Sequence, residues 1–121
     1  MNTKKNILAV DDLATQLAMY RLLLGNRYSL RACKSPLGAL DLLKKEKMDL
    51  IIADIEMPEM TGFEFLREIR QSRTSREVPV IIISSHKDIA EALKNGANDY
   101  IKKPVNPDEL REKVKNLLDS D

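Results

Sequence analysis

Asp49-Leu50-Ile51-Ile52-Ala53-Asp54-Ile55-Glu56-Met57-Pro58-Glu59-Met60-Thr61-Gly62 runs from an apolar segment into a single carboxylate, and then into a loop punctuated by Pro58 and Gly62. Leu50 to Ala53 is continuous, apolar and rich in β-branched residues, which is the habit of a strand covered on both faces in a parallel α/β sheet. Asp54 therefore falls where that strand ends. Asp is a poor strand former and a rare core residue, so strand termination alone would account for it. A functional role for Asp54 has to come from what the rest of the chain places beside it.

The 121 residues suit one compact domain spanning 1–121, with a single core. Twenty Lys and Arg against nineteen Asp and Glu leave a formal charge of +1, so no global field favours nucleic acid or an anionic membrane. Cys33 is the only cysteine, which excludes an internal disulfide and a thiolate metal cluster and marks it as a small apolar filler. No long apolar run suggests a signal peptide or a membrane span. A reducing, cytoplasmic setting is the expectation.

Around the central strand the chain alternates. Asn6 to Val10 is a second buried strand, ending abruptly at Asp11 and Asp12. Leu13, Leu17, Tyr20, Leu23 and Leu24 recur at helical spacing, and Gly25-Asn26 supplies the stop. Tyr28 to Cys33 alternates in the manner of a half-exposed edge strand. Ser35-Pro36 is an N-cap and first helical residue for a helix through Leu37, Leu40 and Leu43, which frays into Lys44 to Lys47. Phe63, Leu66 and Ile69 mark a third helix, and Ser72 to Glu77 a polar connection. Val78 to Ile83 is an apolar strand leading to Ser84 and Ser85, and Asp88 to Asn95 a short helix closed by Gly96. Asp99 to Lys102 is a brief strand before Lys103-Pro104. Asn106-Pro107-Asp108-Glu109 comes close to a capping box and opens a last helix lined by Leu110, Val114, Leu117 and Leu118.

Five strands alternating with five helices through short connections give an α/β doubly wound parallel sheet. Ligands bind such sheets at the carboxyl ends of the strands. Asp11 and Asp12, Asp54, Ser84 and Lys103 all fall at such ends, from four separate strands. Gathered carboxylates repel one another unless a cation neutralises them. An all-oxygen acidic site suits Mg²⁺, or Mn²⁺, held by few carboxylates and free to accept phosphate oxygens. About −3 from the acids, +2 from a metal and +1 from Lys103 sum to roughly zero. Asp54 could then act as nucleophile toward a phosphoryl donor. Phosphorylation would replace about −1 by about −2, and Ser84 and Lys103 have the donors to meet the extra charge.

Taken as a set, Val10-Asp11-Asp12, Asp54 with Met57-Pro58 and Gly62, Pro79 to Ser84, Gly96-Ala97 and Tyr100 to Pro104 resemble the receiver domain of bacterial two-component response regulators, of the chemotaxis type. The resemblance spans nearly the whole chain. It implies a flavodoxin-like sheet of order 2-1-3-4-5 and a phospho-accepting switch that catalyses only its own phosphorylation and dephosphorylation. It implies Asp54 as phospho-acceptor. Asp11 and Asp12 would hold the metal, Asp12 most directly, joined by Asp54 and the backbone carbonyl of Glu56. Ser84 would be the hydroxyl switch, Lys103 the phosphate-pairing lysine, and Tyr100 the aromatic that follows Ser84 inward. Glu56 and His86 flank the site and either tune loss of the phosphoryl group or are solvated loop residues. The Lys103-Pro104 bond would be cis. The implied partners are a sensor histidine kinase or phosphotransfer protein and a downstream target or fused output domain, with no direct nucleic acid or membrane contact.

Two alternatives stay open within this reading. Lys102 rather than Lys103 could face inward, since neighbours on a strand point oppositely; the place beside Pro104 favours Lys103. Tyr100 could also be a packed edge residue only. The main departure from the pattern lies between Ser84 and Gly96, where the chain is shorter by about one helical turn, so the fourth helix should be truncated or start late. Thr61 stands where the family often has an acid. A different class of function also remains: a constitutive protein-interaction module with the receiver fold that never depends on phosphorylation.

Overall fold

A computed structural model describes residues 4–85 and 89–119. The elements follow in strict alternation: β1 (Asn6–Val10), α1 (Ala14–Leu24), β2 (Ser29–Cys33), α2 (Pro36–Lys45), β3 (Leu50–Asp54), α3 (Gly62–Gln71), β4 (Val80–Ser84), α4 (Ile89–Lys94), β5 (Asp99–Lys102) and α5 (Pro107–Leu118). All pairings are parallel, in the order β2-β1-β3-β4-β5. The doubly wound, five-stranded, flavodoxin-like sheet expected from the sequence is the observed architecture.

The apolar runs of β3 and β4 are buried along their whole length, as strands covered on both faces must be. Side-chain alternation sorts the sheet into two cores. Leu8, Val10, Ile51, Ala53, Val80, Ile82 and Tyr100 face one side, packed against Ala39 and Leu43 of α2, Phe65, Leu66 and Ile69 of α3, and Ala92 of α4. Ile7, Ala9, Leu50, Ile52, Ile81, Ile83 and Ile101 face the other, against Leu17, Tyr20 and Leu24 of α1 and Leu110, Val114 and Leu118 of α5. Each fully buried aliphatic side chain contributes about 1.5–3 kcal/mol of transfer free energy.

The caps are partly where the sequence places them. Ser35 accepts from the Gly38 amide, with Pro36 at the first helical position. Asn106 accepts from the Glu109 amide. The full reciprocal capping box is at Thr61 and Glu64, where Thr61 Oγ1 accepts from the Glu64 amide and Glu64 Oε1 accepts from the Thr61 amide. Thr61 thus has a role of its own, as the cap of α3. Gly96 takes φ 107, and Gly96 N donates to Leu93 O while Ala97 N donates to Ala92 O, the two bonds of a Schellman ending that satisfies α4's last carbonyls.

Some apolar assignments change. Leu13 and Leu37 keep helical spacing but are 52% and 53% exposed, because Leu13 sits outside α1 as its extended N-cap and Leu37 opens α2 on the solvent side. β2 begins at Ser29 and β4 at Val80, each later than the apolar run suggests. Among the described residues the fourth helix covers Ile89–Lys94; Asp88, where the sequence starts it, lies outside them.

Candidate functional site

The strand faces decide where the polar residues go. Asp11 N donates to Cys33 O at 3.1 Å, extending the β1–β2 ladder by one residue beyond Val10. The alternation therefore continues, and Asp11 takes the side of Ile7 and Ala9. Asp54 falls on the same side as Leu50 and Ile52, and Lys103 on that of Ile101. Ser84 falls on the opposite side, following Val80 and Ile82, and Tyr100 packs into that same core. One face thus collects acids and a lysine. The other collects the hydroxyl and the tyrosine.

On the acidic face, Asp54 is 2% exposed. Its Oδ1 accepts from the Glu56 amide at 2.9 Å, and its Oδ2 accepts from Lys103 Nζ at 2.6 Å. Burial works against the Lys103 ammonium, but the hydrogen bond and charge of Asp54, with Asp11 and Glu56 behind them, outweigh it, and its pKa is raised overall. Lys102 is exposed, so the choice between neighbouring lysines falls to Lys103. The Lys103-Pro104 peptide is cis, and Lys103 N donates to Ser84 O at 2.8 Å, tying the β5 exit to the end of β4.

Asp11 is fully buried. Its Oδ1 accepts from the Leu13 amide at 2.9 Å, which turns the chain into α1. Its Oδ2 has no hydrogen-bond partner among the described residues. Burial pushes the carboxyl up to about 6; the Leu13 amide pulls it down, Asp54 raises it, Lys103 lowers it and Asp12 raises it. Asp12 is exposed, at the rim of the same strand end. Among the described residues no three acidic, His or Cys side chains are grouped closely enough to hold a metal ion by themselves. What is present is open and oxygen-only, with a buried carboxylate oxygen in need of a positive partner. That donor set fits Mg²⁺, which retains several waters of its own.

Glu56 is exposed, and its Oε1 accepts from Ser85 Oγ at 2.9 Å, linking the β3 and β4 exit loops at the mouth of the site. Glu59, further along the β3 loop, takes a left-handed φ of 74. Gly62 closes that loop: Gly62 N donates to Ile55 O at 2.8 Å, and a Cβ there would lie 2.5 Å from Ile55 Cα and 2.8 Å from Asp54 O. His86 lies outside the described residues. A shallow cleft of about 580 Å³, lined by Leu13, Thr15, Gln16, Met19, Ser85, Lys103, Pro104 and Val105, opens beside the ion pair. A separate cavity lies between the end of α1 and α5 around Tyr28 and Lys115, and contains none of these residues.

Two features escape the sequence. Arg70 of α3 donates to Gly96 O from Nε and Nη2 (3.0 and 2.8 Å), to Val78 O from Nη1 (2.7 Å) and to Asn98 Oδ1 from Nη2 (2.8 Å), and so ties α3 to the turns before β4 and β5. Tyr20 is readable as a core position, but its buried hydroxyl, on the acidic face, is not a feature that apolar packing asks for.

The family model for the response regulator receiver domain matches residues 7–115. The two-component response regulator ORR11 of Oryza sativa is 37% identical over 110 residues, covering 87% of this chain and 75% of the relative. The chemotaxis response regulator CheY4 of Vibrio cholerae superposes with a TM-score of 0.90 at 29% identity, covering 96% of this chain and all of that one, 100%. The receiver domain of the sensor histidine kinase PA1611 from Pseudomonas aeruginosa PAO1, whose structure has a magnesium ion coordinated in the active site cleft, gives 0.88 at 25% identity and covers 98% of this chain and 100% of its own. The similarity thus reaches a plant regulator as well as bacterial proteins, a wider range than the bacterial setting of the resemblance. With the match running through all five strands and the acids, serine and lysine gathered at their carboxyl ends, this chain belongs to the response regulator receiver domain family of two-component signalling.

Proposed function

We propose that this chain, as one receiver unit over residues 1–121, accepts a phosphoryl group on Asp54 from a histidine kinase or phosphotransfer protein and thereby changes its affinity for a target or an attached output domain. The observation that supports this most is the 2.6 Å pair of Lys103 Nζ and Asp54 Oδ2 beside the buried, unpartnered Oδ2 of Asp11. A nucleophile, a cation and a second carboxylate stand together there.

Asp11, Asp12, Asp54 and the Glu56 backbone carbonyl would hold Mg²⁺, or Mn²⁺. When bound, the metal supplies positive charge for the incoming phosphoryl oxygens. Asp54 has one oxygen held by the Glu56 amide and the other by Lys103, so its carboxylate is fixed in orientation before the donor arrives. An Asp54 oxygen attacks phosphorus; the new O–P bond forms as the bond to the donor's leaving nitrogen or oxygen breaks, and the electron pair leaves with that group. Lys103 stays protonated and transfers its hydrogen bond toward the phosphoryl oxygens. Ser84, one residue beyond the Ile83 that pairs with Asp54, swings its hydroxyl round the strand end from the opposite face to meet the same group. Tyr100, on Ser84's face of the sheet, moves with it and carries the change to the surface around α4 and β5.

The setting proposed is cytoplasmic, without membrane or nucleic acid contact by this domain. Among the described residues no helix is long and apolar enough to cross a membrane. Glu56 tunes the site through its contact with Ser85, and His86 is proposed as the companion residue.

The test is intact mass after treatment with a small phosphodonor and Mg²⁺, beside an Asp54→Asn variant and a chelated control. One phosphate-sized adduct, absent from the variant and from the control, is the expected result. No adduct on a parent protein that binds Mg²⁺ sinks the switch and leaves the constitutive interaction module as the better account.

A further inference from the structure

Two buried side-chain polar atoms among the described residues have no hydrogen-bond partner: Asp11 Oδ2 and Tyr20 Oη. Tyr20 is fully buried in the core between α1 and the sheet. That core lies on the face of Ile7 and Ala9, which Asp11 continues. α1 descends from the site, and helical side chains lean toward their own N-terminus, so the long phenol of Tyr20 rises beneath the acids. The electrostatics agree: after burial, the charges of Asp11 and then Asp54 push the Tyr20 phenol further above its ordinary value, while the Gln16 side chain one turn up α1 pulls it down. Gln16 lies close to the hydroxyl without reaching bonding geometry.

Buried polar atoms in folded proteins are almost always satisfied, and a buried water commonly has about three polar partners. Asp11 Oδ2, Tyr20 Oη and the Gln16 amide are three such groups. We infer that Tyr20 is a positioning residue for the acidic site, its hydroxyl holding Asp11 from below through a water shared with Gln16. The water donates one O–H to the Asp11 carboxylate, and the phenol, which can donate or accept, meets that water from below. The bridge fixes the Asp11 oxygens so that they face the cation, in the way that outer hydrogen-bond partners orient metal ligands. Its consequence for metal rests on the reading of the site as a Mg²⁺ site; the bridge itself does not.

The experiment is calorimetric titration of Tyr20→Phe and the parent with Mg²⁺ alone. A metal-free NMR experiment runs alongside it, looking for cross-relaxation between a bound water and the Tyr20 ring. The expected result is weakening of Mg²⁺ binding by about tenfold, the low end for such partners, with the water signal present in the parent and lost in the variant. The melting temperature should stay level, which separates positioning from folding. Gln16→Met provides the same readout with Tyr20 in place. Affinity within about twofold of the parent in both variants would overturn the positioning role, since outer partners ordinarily contribute more. If the parent binds no Mg²⁺, the metal reading fails, and the water signal alone then upholds or overturns the bridge.

Discussion

Asp11→Asn tests how much the acidic site costs the fold. Asp11 is fully buried and its carboxyl is raised from 3.8 to about 6, with burial as the main cause. A raised acid favours the proton in the folded state. Its destabilising effect is absent below the unfolded value, grows as pH rises through the window between 3.8 and about 6, and is complete above it. At about 1.4 kcal/mol per pH unit the full effect is about 3 kcal/mol. Asparagine keeps the shape and an Oδ1 for the Leu13 amide, and its NH₂ turns toward Asp54 as a donor rather than as a like charge. The metal-free variant should therefore be more stable than the parent at pH 7.5 by about 2–3 kcal/mol, or roughly 10 °C in melting temperature for a domain of this size. At pH 4 the difference should all but vanish. Urea and thermal unfolding followed by circular dichroism, both proteins in chelator at both pH values, measure it. A variant no more stable than the parent at pH 7.5, or one whose advantage persists unchanged at pH 4, would refute the reasoning. Added Mg²⁺ should restore part of the difference by stabilising the parent more.

Other perturbations follow from the same geometry. Lys103→Met leaves the buried Asp54 without its cation; metal-free stability at neutral pH should fall by about 2–3 kcal/mol, less than for a fully buried pair because Lys103 is 24% exposed, and Mg²⁺ should recover much of it in urea titrations. Gly62→Ala drives a methyl into the Ile55 backbone. It should cost about 1–3 kcal/mol and slow phosphorylation of Asp54 in the intact-mass assay, because the displaced loop begins one residue after the acceptor. Arg70→Lys keeps the charge but loses the planar fork that serves Gly96, Val78 and Asn98; a loss of about 2 kcal/mol by chemical denaturation is expected.

Strand identity was legible because β1, β3 and β4 carry short, continuous apolar runs, which few other structures can bury; the sheet order came with the family resemblance. Asp11 and Asp54 were legible for a related reason: each stands directly at the end of such a run, where the fold places ligands, while Lys103 was favoured over Lys102 by its place beside Pro104. What escaped lay in groups whose meaning depends on distance in space. Arg70 is one of many charged residues on α3 until Gly96, Val78 and Asn98 arrive from elsewhere in the chain. Tyr20 fits the helical period, so its ring was visible while the role of its oxygen was not. Leu13 and Leu37 show the reverse error, since periodicity cannot tell the core side of a first turn from the solvent side. Thr61, which looks like a lost acid when set beside the family, is explained once its hydroxyl is found on the Glu64 amide.

The division of the strands into two faces also bears on how a substitution spreads through such a domain. Asp11, Asp54 and Lys103 share the side covered by α1 and α5, while Ser84 and Tyr100 share the side where α4 contributes a single fully buried residue, Ala92. A change in α4 is therefore felt first on the face that carries Ser84 and Tyr100. A substitution in α4 would then reach Ser84 and Tyr100 before it reached Asp11, Asp54 and Lys103.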